Sequence, residues 1–186
     1  FLPSKKVNPC IACDTCHKTG TCRQNDDFEE IKQKIMDSDA LILGSPNYIF
    51  SVSAQLKAFM DRCCGVIHCI GFEGKYGASV ITSGGGDEEA IARYMNHFLT
   101  TTGITPVGSV WATMGLLPDG KFTEEIAEQA RKLGETLVDS SNSKAVSPEV
   151  ERVKDAFKQR MQYLMTIRKD EWPYEYEFWR KHRGLQ

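Results

Sequence analysis

Four cysteines stand close together near the start of the sequence, at a spacing that suits few chemistries. They are Cys10, Cys13, Cys16 and Cys22, in the pattern C-x2-C-x2-C-x5-C. A cubane iron–sulfur cluster needs four thiolates around one centre, and consecutive turns of a C-x2-C-x2-C run present their sulfurs to three of its irons. Because Cys22 can supply the fourth thiolate, the spacing predicts a [4Fe–4S] cluster.

Three other interpretations of these cysteines remain open, although each matches the pattern less well. Two disulfides in so short a loop would be strained, and a chain of 186 residues that is 41% hydrophobic can bury a core without them. Structural zinc sites usually draw two close pairs of cysteines from separate turns. The stretch Cys13–His17 matches the haem attachment pattern C-x-x-C-H, but this leaves Cys10 and Cys22 without a role.

The remaining cysteines and the histidines show no motif. Cys63, Cys64 and Cys69 are expected to be small core or surface thiols, because free cysteine packs as a small apolar residue. Unpaired thiols also indicate a reducing compartment, so we expect a cytoplasmic protein. His17 is expected either to face solvent or to donate a hydrogen bond to a cluster sulfur, and His68 to be an ordinary histidine.

The elements that must position these residues alternate between helix and strand patterns. Residues 26–39 have the apolar spacing of an amphipathic helix, and the apolar run at residues 40–44 is typical of a strand buried on both faces. Ser53 and Thr123 are placed as helix caps and Gly103 as a helix stop. Repeated units of this length predict an α/β fold, with a parallel sheet covered by helices on both faces.

Two loops follow predicted strands, and ligands of parallel sheets bind at the carboxyl ends of strands. The first loop, "GSPNYIF" at residues 44–50, offers the amide of Asn47 and the aromatic ring of Tyr48 to a planar heterocycle. The second, "TSGGGDEE" at residues 82–89, places three glycines before a helix, where backbone N–H groups can approach an anionic or carbonyl-rich ligand. Ordinary strand-to-helix turns are the alternative interpretation of both loops.

Together these stretches resemble a known family, the iron–sulfur flavoproteins within the flavodoxin-like NAD(P)H-dependent FMN reductases. The resemblance rests on "PCIACDTCHKTGTC", "NDDFEEI", "DALILGSPNYIFSVSAQLKAFMDR" and "TSGGG", and it covers the chain from about Cys10 to Asp139. It implies FMN and a [4Fe–4S] cluster as cofactors, with the cluster on the four cysteines of the first motif. The residues that it implies beside the flavin are Ser45, Pro46, Asn47, Tyr48, Ile49, Phe50, Ser83, Gly84, Gly85 and Gly86, with Asp87 near a helix start.

The resemblance implies a flavodoxin-like, doubly wound parallel sheet. The family opens with a strand, a phosphate-cradling loop and a helix that this sequence lacks, so we expect this first βα unit to be missing from the sequence in hand. We assign residues 1–140 to the FMN-binding domain, with the cysteine loop at 10–22, and residues 141–186 to a C-terminal helix and aromatic tail. Residues 140–149 are expected to be a linker because of their serine-rich composition.

The expected function is electron transfer, from a ferredoxin-like or NAD(P)H donor to a small-molecule acceptor, with no residue in acid–base catalysis. An NAD(P)H-dependent FMN or quinone reductase is the alternative enzyme, and a flavin-free, zinc-stabilised binding module is the alternative of another class. A net charge of −2 argues against nucleic acid, and no apolar run approaches the ~20 residues of a membrane span. The aromatic tail and the apolar stripe before it predict a homodimer or homotetramer.

Overall fold

The computed structural model describes residues 4–185, and a parallel sheet of three strands lies at their centre. The strands β1 (Ala40–Pro46), β2 (Tyr76–Ser83) and β3 (Thr105–Thr113) are ordered β1-β2-β3. Pro46 of β1 pairs with Thr82 of β2, so the two strands end side by side. The predicted parallel sheet is therefore confirmed.

Eight α-helices accompany the sheet in the described part of the chain. One precedes residue 28, five flank the strands between residues 28 and 143, and the last two follow. In chain order they are α1 (Thr15–Thr19), α2 (Phe28–Met36), α3 (Ala54–Arg62), α4 (Cys64–Cys69), α5 (Glu88–Thr102), α6 (Glu124–Ser143), α7 (Pro148–Ile167) and α8 (Pro173–His182).

Two side-chain caps and one glycine explain where α3 and α6 begin and where α5 ends. The hydroxyl of Ser53 accepts a hydrogen bond from the backbone N–H of Leu56, and Thr123 does the same for Ile126, both at 3.3 Å. Such caps satisfy N–H groups that have no partner within the helix. Gly103, with φ of 102°, ends α5 in the left-handed conformation. All three predicted helix boundaries are confirmed.

The two faces of the sheet pack against different helices. Leu43 and Ile81 share one buried core with residues of α2, α3 and α5, whereas Tyr76 and Ala78 pack with Leu137 of α6 on the opposite face. This separation follows from the alternation of side chains along a strand. Helices therefore cover both faces, as the sequence predicts.

The expectation that β1 is buried on both faces is wrong. Ile42 at its centre is 58% exposed, and among residues 4–185 only β2 pairs with β1. A mainly apolar cavity of about 870 Å³ runs along the unpaired edge from Ile31 to Tyr48. The composition of β1 is therefore that of a buried strand, although residues 4–185 leave one of its edges unpaired.

The C-terminal third is more helical than its composition indicates. Residues 140–143, expected to belong to a linker, instead continue α6, and the Ser143 hydroxyl bonds back to the carbonyl of Asp139 at 2.7 Å. Serine remains in a helix when its hydroxyl takes a backbone carbonyl in this way. The interhelical link is thus confined to residues 144–147.

Helices α7 and α8 build a separate small core against α4. It contains Ile70, Met161, Met165 and Trp179, and the indole N–H of Trp179 donates to the carbonyl of His68 at 2.9 Å. The aromatic tail therefore docks on its own chain. No helix between residues 4 and 185 has the length and apolar character needed to span a lipid bilayer.

Candidate functional site

The two loops singled out in the sequence lie side by side at the carboxyl ends of β1 and β2. The backbone N–H of Asn47 donates to the carbonyl of Thr82 at 2.7 Å, and its side-chain amide donates to the carbonyl of Gly86 at 3.0 Å. Asn47 thus joins residues 45–50 to the glycine loop. The sheet brings together two segments that are far apart in sequence, because its strands are parallel and neighbouring.

The first loop turns tightly and presents apolar side chains to the outside. Tyr48 and Ser51 form an isolated antiparallel bridge around Ile49 and Phe50, whose φ angles are 50° and 60°. Left-handed backbone is strained in bulky residues, and such strain concentrates at functional sites. Ile49 is 90% exposed, and Tyr48 and Phe50 are also exposed, so a ring-shaped apolar ligand has a surface on which to lie.

The second loop is open and is held in place from behind. A Cβ added at Gly84, Gly85 or Gly86 would meet nothing within 4 Å. Buried Glu88 fixes the loop because it accepts hydrogen bonds from Ser83 and, at 2.6 Å, from Thr113 of β3. These two bonds also lower the pKa of the Glu88 carboxyl. A ligand can therefore approach the glycine backbone without displacing a side chain.

Some polar groups in the first loop have hydrogen-bond partners and one does not. The Ser45 hydroxyl is buried and engaged twice: it donates to the carbonyl of Pro46 and accepts from the N–H of Ser53, both at 2.9 Å. The Asn47 side-chain oxygen is buried without a hydrogen-bond partner. Unpaired buried acceptors are costly, so an N–H donor that reached this oxygen would gain a hydrogen bond.

The cysteine loop winds through a series of left-handed turns. Ala12 and Asp14 have φ angles of 49° and 56°, and Gly20 with φ of 79° ends the short helix α1. Turns of this kind reverse the chain repeatedly within a few residues, which is what wrapping a compact inorganic centre requires. All seven cysteines of the chain are free thiols in the structure, so the disulfide interpretation has no support from it.

The structure places the four predicted cluster ligands unequally. Cys16 and Cys22 line one cavity of about 230 Å³, whereas Cys10 is exposed and Cys13 is half-buried beside Thr15. The structure thus brings Cys16 and Cys22 to one cavity, together with Cys69, and does not bring Cys10 and Cys13 to it. Four free thiols within thirteen residues still provide the donor type of an iron–sulfur cluster. The assignment of all four to one cluster stays a prediction.

A buried arginine, which the sequence did not single out, supports the loop. Arg62 at the end of α3 is 4% exposed, and its Nε donates to the sulfur of Cys22 at 3.2 Å. Its other nitrogens form a fork with Asp26 at 2.9 and 3.2 Å and also reach the carbonyl of Asn8 at 3.0 Å. Burial raises the pKa of Asp26, but the bonds from Arg62 and from two backbone N–H groups outweigh it and lower the pKa to about 2.

Replacement of Gly20 by alanine is expected to destabilise the protein by about 2 kcal/mol more than the same change at Gly74. Both glycines have positive φ angles, 79° and 87°, but a Cβ at Gly20 would lie 2.2 Å from Cζ of Tyr174 on α8, whereas one at Gly74 meets nothing within 4 Å. Denaturant unfolding of both variants isolates the cost of this contact. Equal losses of stability would show that Tyr174 moves aside freely.

The structure corrects the expectation that His17 faces solvent, whereas its side-chain interaction with Cys16, an assigned cluster ligand, agrees with the alternative that it donates to a cluster sulfur. His17 is 5% exposed and, with Cys64 and His68, forms a group that we call the His–Cys cluster. Its rings are held by the buried carboxylate of Glu175. No local sequence pattern indicates this group, because Glu175 lies 158 positions from His17.

A parallel sheet with helices on both faces, and with its ligand-facing loops at the carboxyl ends of neighbouring strands, defines a flavodoxin-like protein. Comparison with known proteins agrees with this class. The family model described as NADPH-dependent FMN reductase matches residues 2–117. RosB, solved with bound 8-demethyl-8-formylriboflavin-5'-phosphate, aligns with a TM-score of 0.53 at 10% identity over 74% of this chain and 62% of its own, a likeness of fold alone.

Two relatives match larger shares of the chain than the family model does, and the first of them covers nearly all of it. An iron-sulfur flavoprotein of Archaeoglobus fulgidus is 36% identical over 99% of this chain and 82% of that protein. Another, from Methanocaldococcus jannaschii, is 37% identical over 74% of this chain and 77% of its own length. The chain therefore belongs to the iron–sulfur flavoproteins of the NADPH-dependent FMN reductase family, and it is a flavin-dependent oxidoreductase.

Proposed function

We propose that this oxidoreductase transfers electrons from a ferredoxin-like donor to a small-molecule acceptor, through FMN and a [4Fe–4S] cluster. The observation that supports this most strongly is the pairing of two different sites in one small fold. Open loops lie at the ends of β1 and β2, and four free thiols lie in a loop backed by the Arg62 guanidinium. Family membership supports both cofactors.

The residues assigned to FMN divide by role. Residues 45–50 would flank the flavin ring with Tyr48, Ile49 and Phe50, and the free oxygen of Asn47 would accept from a ring N–H. Residues 83–87 would offer backbone N–H groups from the glycine loop, which Glu88 holds in position. When bound, FMN takes up electrons in pairs and a [4Fe–4S] cluster passes them singly, so together they couple two-electron to one-electron chemistry.

The four cysteines assigned to the cluster are Cys10, Cys13, Cys16 and Cys22. Arg62 would stabilise the negative charge on the Cys22 sulfur, because its N–H already donates there and Asp26 prevents it from turning away. Hydrogen bonds and positive charge at a ligand sulfur favour the more reduced, more negative state of a cluster. This residue is therefore assigned to tuning the potential.

An NAD(P)H-dependent FMN or quinone reductase is the second candidate, favoured by the family model over residues 2–117. In that enzyme the nicotinamide reduces the flavin directly and the cysteines serve a secondary role. The flavin-free zinc module is disfavoured, because the chain belongs to a flavoprotein family.

Anaerobic purification, followed by an absorption spectrum and metal analysis, tests the proposal. Flavin bands over a broad shoulder near ~400 nm, with about four irons per chain, are expected. Stopped-flow mixing with NADPH and with reduced ferredoxin then separates the two enzymes. If reduced ferredoxin bleaches the flavin quickly and NADPH does not, the electron-transfer protein is supported. If NADPH bleaches the flavin of a protein that contains no iron, the reductase is supported. Zinc with neither flavin nor iron excludes both.

Replacement of Asn47 by alanine is expected to weaken FMN binding about 5- to 10-fold, the effect of one lost hydrogen bond of about 1 kcal/mol. The change removes both the unpaired oxygen and the bond to Gly86 that joins the two loops. Titration of flavin-free protein, followed by quenching of FMN fluorescence, measures the affinity. Asn142, exposed on α6, provides the matched control. An unchanged affinity would remove Asn47 from the site.

We also propose that the protein forms a homodimer or homotetramer through α7. Val153, Tyr163 and Ile167 of this helix are 46%, 68% and 55% exposed, and such side chains are candidates for burial against another subunit. Val153→Asp is expected to reduce the mass measured by light scattering to that of one chain, and an unchanged mass would place the interface elsewhere. A cytoplasmic location and a domain boundary at residue 140 remain predictions.

A further inference from the structure

The His–Cys cluster lies apart from the residues assigned to the flavin. Its two histidines make matching contacts with Glu175 and Cys64. One oxygen of the Glu175 carboxylate lies 2.7 Å from Nδ1 of His17, and the other lies 2.9 Å from Nδ1 of His68. Nε2 of each histidine lies 3.8 Å from the sulfur of Cys64. One carboxylate thus holds both rings from behind, while their free nitrogens face the same thiol.

The surrounding elements hold this arrangement rigidly. His17 comes from α1, Cys64 and His68 from α4, and Glu175, which is completely buried, from α8. The ring of Trp172 stacks on both imidazoles, with centroids 4.7 and 4.8 Å away. A carboxylate that accepts from Nδ1 is the usual partner of a metal-binding histidine, because it fixes the tautomer and directs Nε2 at the ion.

The distances suit a single transition-metal ion. Zinc binds cysteine sulfur at about 2.3 Å and histidine nitrogen at about 2.0–2.1 Å, so at a tetrahedral angle the two ligand atoms lie about 3.6 Å apart. The observed sulfur-to-nitrogen separations of 3.8 Å are close to this value. The three ligand atoms lie within 4.8 Å of one another, whereas two nitrogens on one zinc ion lie at most about 4.2 Å apart, so binding requires the two imidazoles to move closer together. The two imidazoles stack at 4.9 Å with 22° between their planes, so an ion bound by both would tilt them together.

We propose that His17, Cys64 and His68 form a mononuclear site for Zn²⁺ or a similar transition metal, with Glu175 as the positioning carboxylate. This site is distinct from the [4Fe–4S] cluster but lies beside Cys16, the assigned cluster ligand that precedes His17 in the sequence. Three protein ligands leave one coordination position for water or another ligand. The nearest carboxylate to His17 Nε2 is that of exposed Asp14, with an oxygen 3.8 Å away. The combination of imidazole and thiolate ligands selects zinc or copper over magnesium or calcium.

Cobalt provides a visible probe of this site. One equivalent of Co²⁺ is added anaerobically to the full-length protein with its flavin and iron in place, and unbound metal is removed. We expect about one cobalt per chain beyond the iron already present, with ligand-field bands of a tetrahedral ion and a charge-transfer band from the thiolate. Failure of the wild-type protein to retain cobalt would overturn the proposal, whatever its iron content.

Variants assign the ligands. Cys64→Ser, which preserves the packing, and His68→Ala are each expected to weaken cobalt binding at least 10-fold and to leave iron per chain unchanged. Glu175→Gln should weaken it about 10- to 100-fold while keeping the charge-transfer band. His97→Ala, an exposed histidine on α5, is the control and should bind cobalt normally. Loss of iron from Cys64→Ser would instead assign this thiol to the iron–sulfur cluster, and normal cobalt binding by both ligand variants would also overturn the proposal.

Discussion

Replacement of Cys22 by alanine is expected to reduce the iron content from about four atoms per chain to fewer than one, while FMN stays bound. A cubane needs all four thiolates, and an alanine side chain can neither ligate iron nor accept the bond from Arg62. The flavin should remain because the loops at the ends of β1 and β2 make no use of Cys22. Colorimetric iron, acid-labile sulfide and flavin fluorescence measure the three contents on one sample.

Cys63→Ala is the matched control for this experiment. Cys63 is a fully buried thiol outside the cysteine loop, and burial raises its pKa far above the ordinary range. A thiol that remains protonated is a poor metal ligand. This variant should therefore keep its iron. If Cys22→Ala also kept about four irons, the cluster would have to use a different set of thiols.

Replacement of Asp26 by alanine is expected to reduce the free energy of unfolding by about 3–5 kcal/mol. The side chains of Asp26 and Arg62 are 0% and 1% exposed, so removal of the carboxylate leaves the guanidinium buried without a counter-charge, next to a carbonyl, a sulfur and the face of the Phe28 ring. It also frees the backbone N–H groups of Asn8 and Phe28. Urea unfolding gives the value directly.

Asp61→Ala is the control, because Asp61 pairs with Lys57 on the exposed side of the same helix and exposed pairs contribute at most about 1 kcal/mol. The pair with Arg62 also predicts a pH dependence. The folded-state pKa of Asp26, about 2, lies below its ordinary value of about 3.9, so its contribution to stability is complete above pH ~4 and is lost as the pH falls toward 2. In Asp26→Asn this component of acid destabilisation should disappear. Similar losses of stability in the two alanine variants would show that water reaches Arg62.

The sequence predicted local features well because their causes are local. Ser53 and Thr123 act within three residues of themselves, and Gly103 ends its helix through its own backbone. The loops around Asn47 and Gly86 could be placed together because parallel strands carry their ends to one edge.

The rest depended on contacts between segments that are distant in sequence. The role of Arg62 depends on its contacts with Asp26 and Cys22, and that of His17 depends on its contact with Glu175 of α8. Ile42 is exposed because only β2 pairs with β1 among the described residues, and apolar composition does not indicate which strands pair. Contacts between polar groups that are distant in sequence therefore could not be predicted.

The docking of α8 sets an order of events during synthesis. Tyr174 and Glu175 lie against Gly20 and His17, so the loop at residues 10–22 obtains part of its support from residues translated more than a hundred positions later. Contacts at such separation form late, since a long loop must close before they contribute. Until α8 has been synthesised, the cysteine loop therefore lacks the contacts that Tyr174 and Glu175 provide in the folded protein.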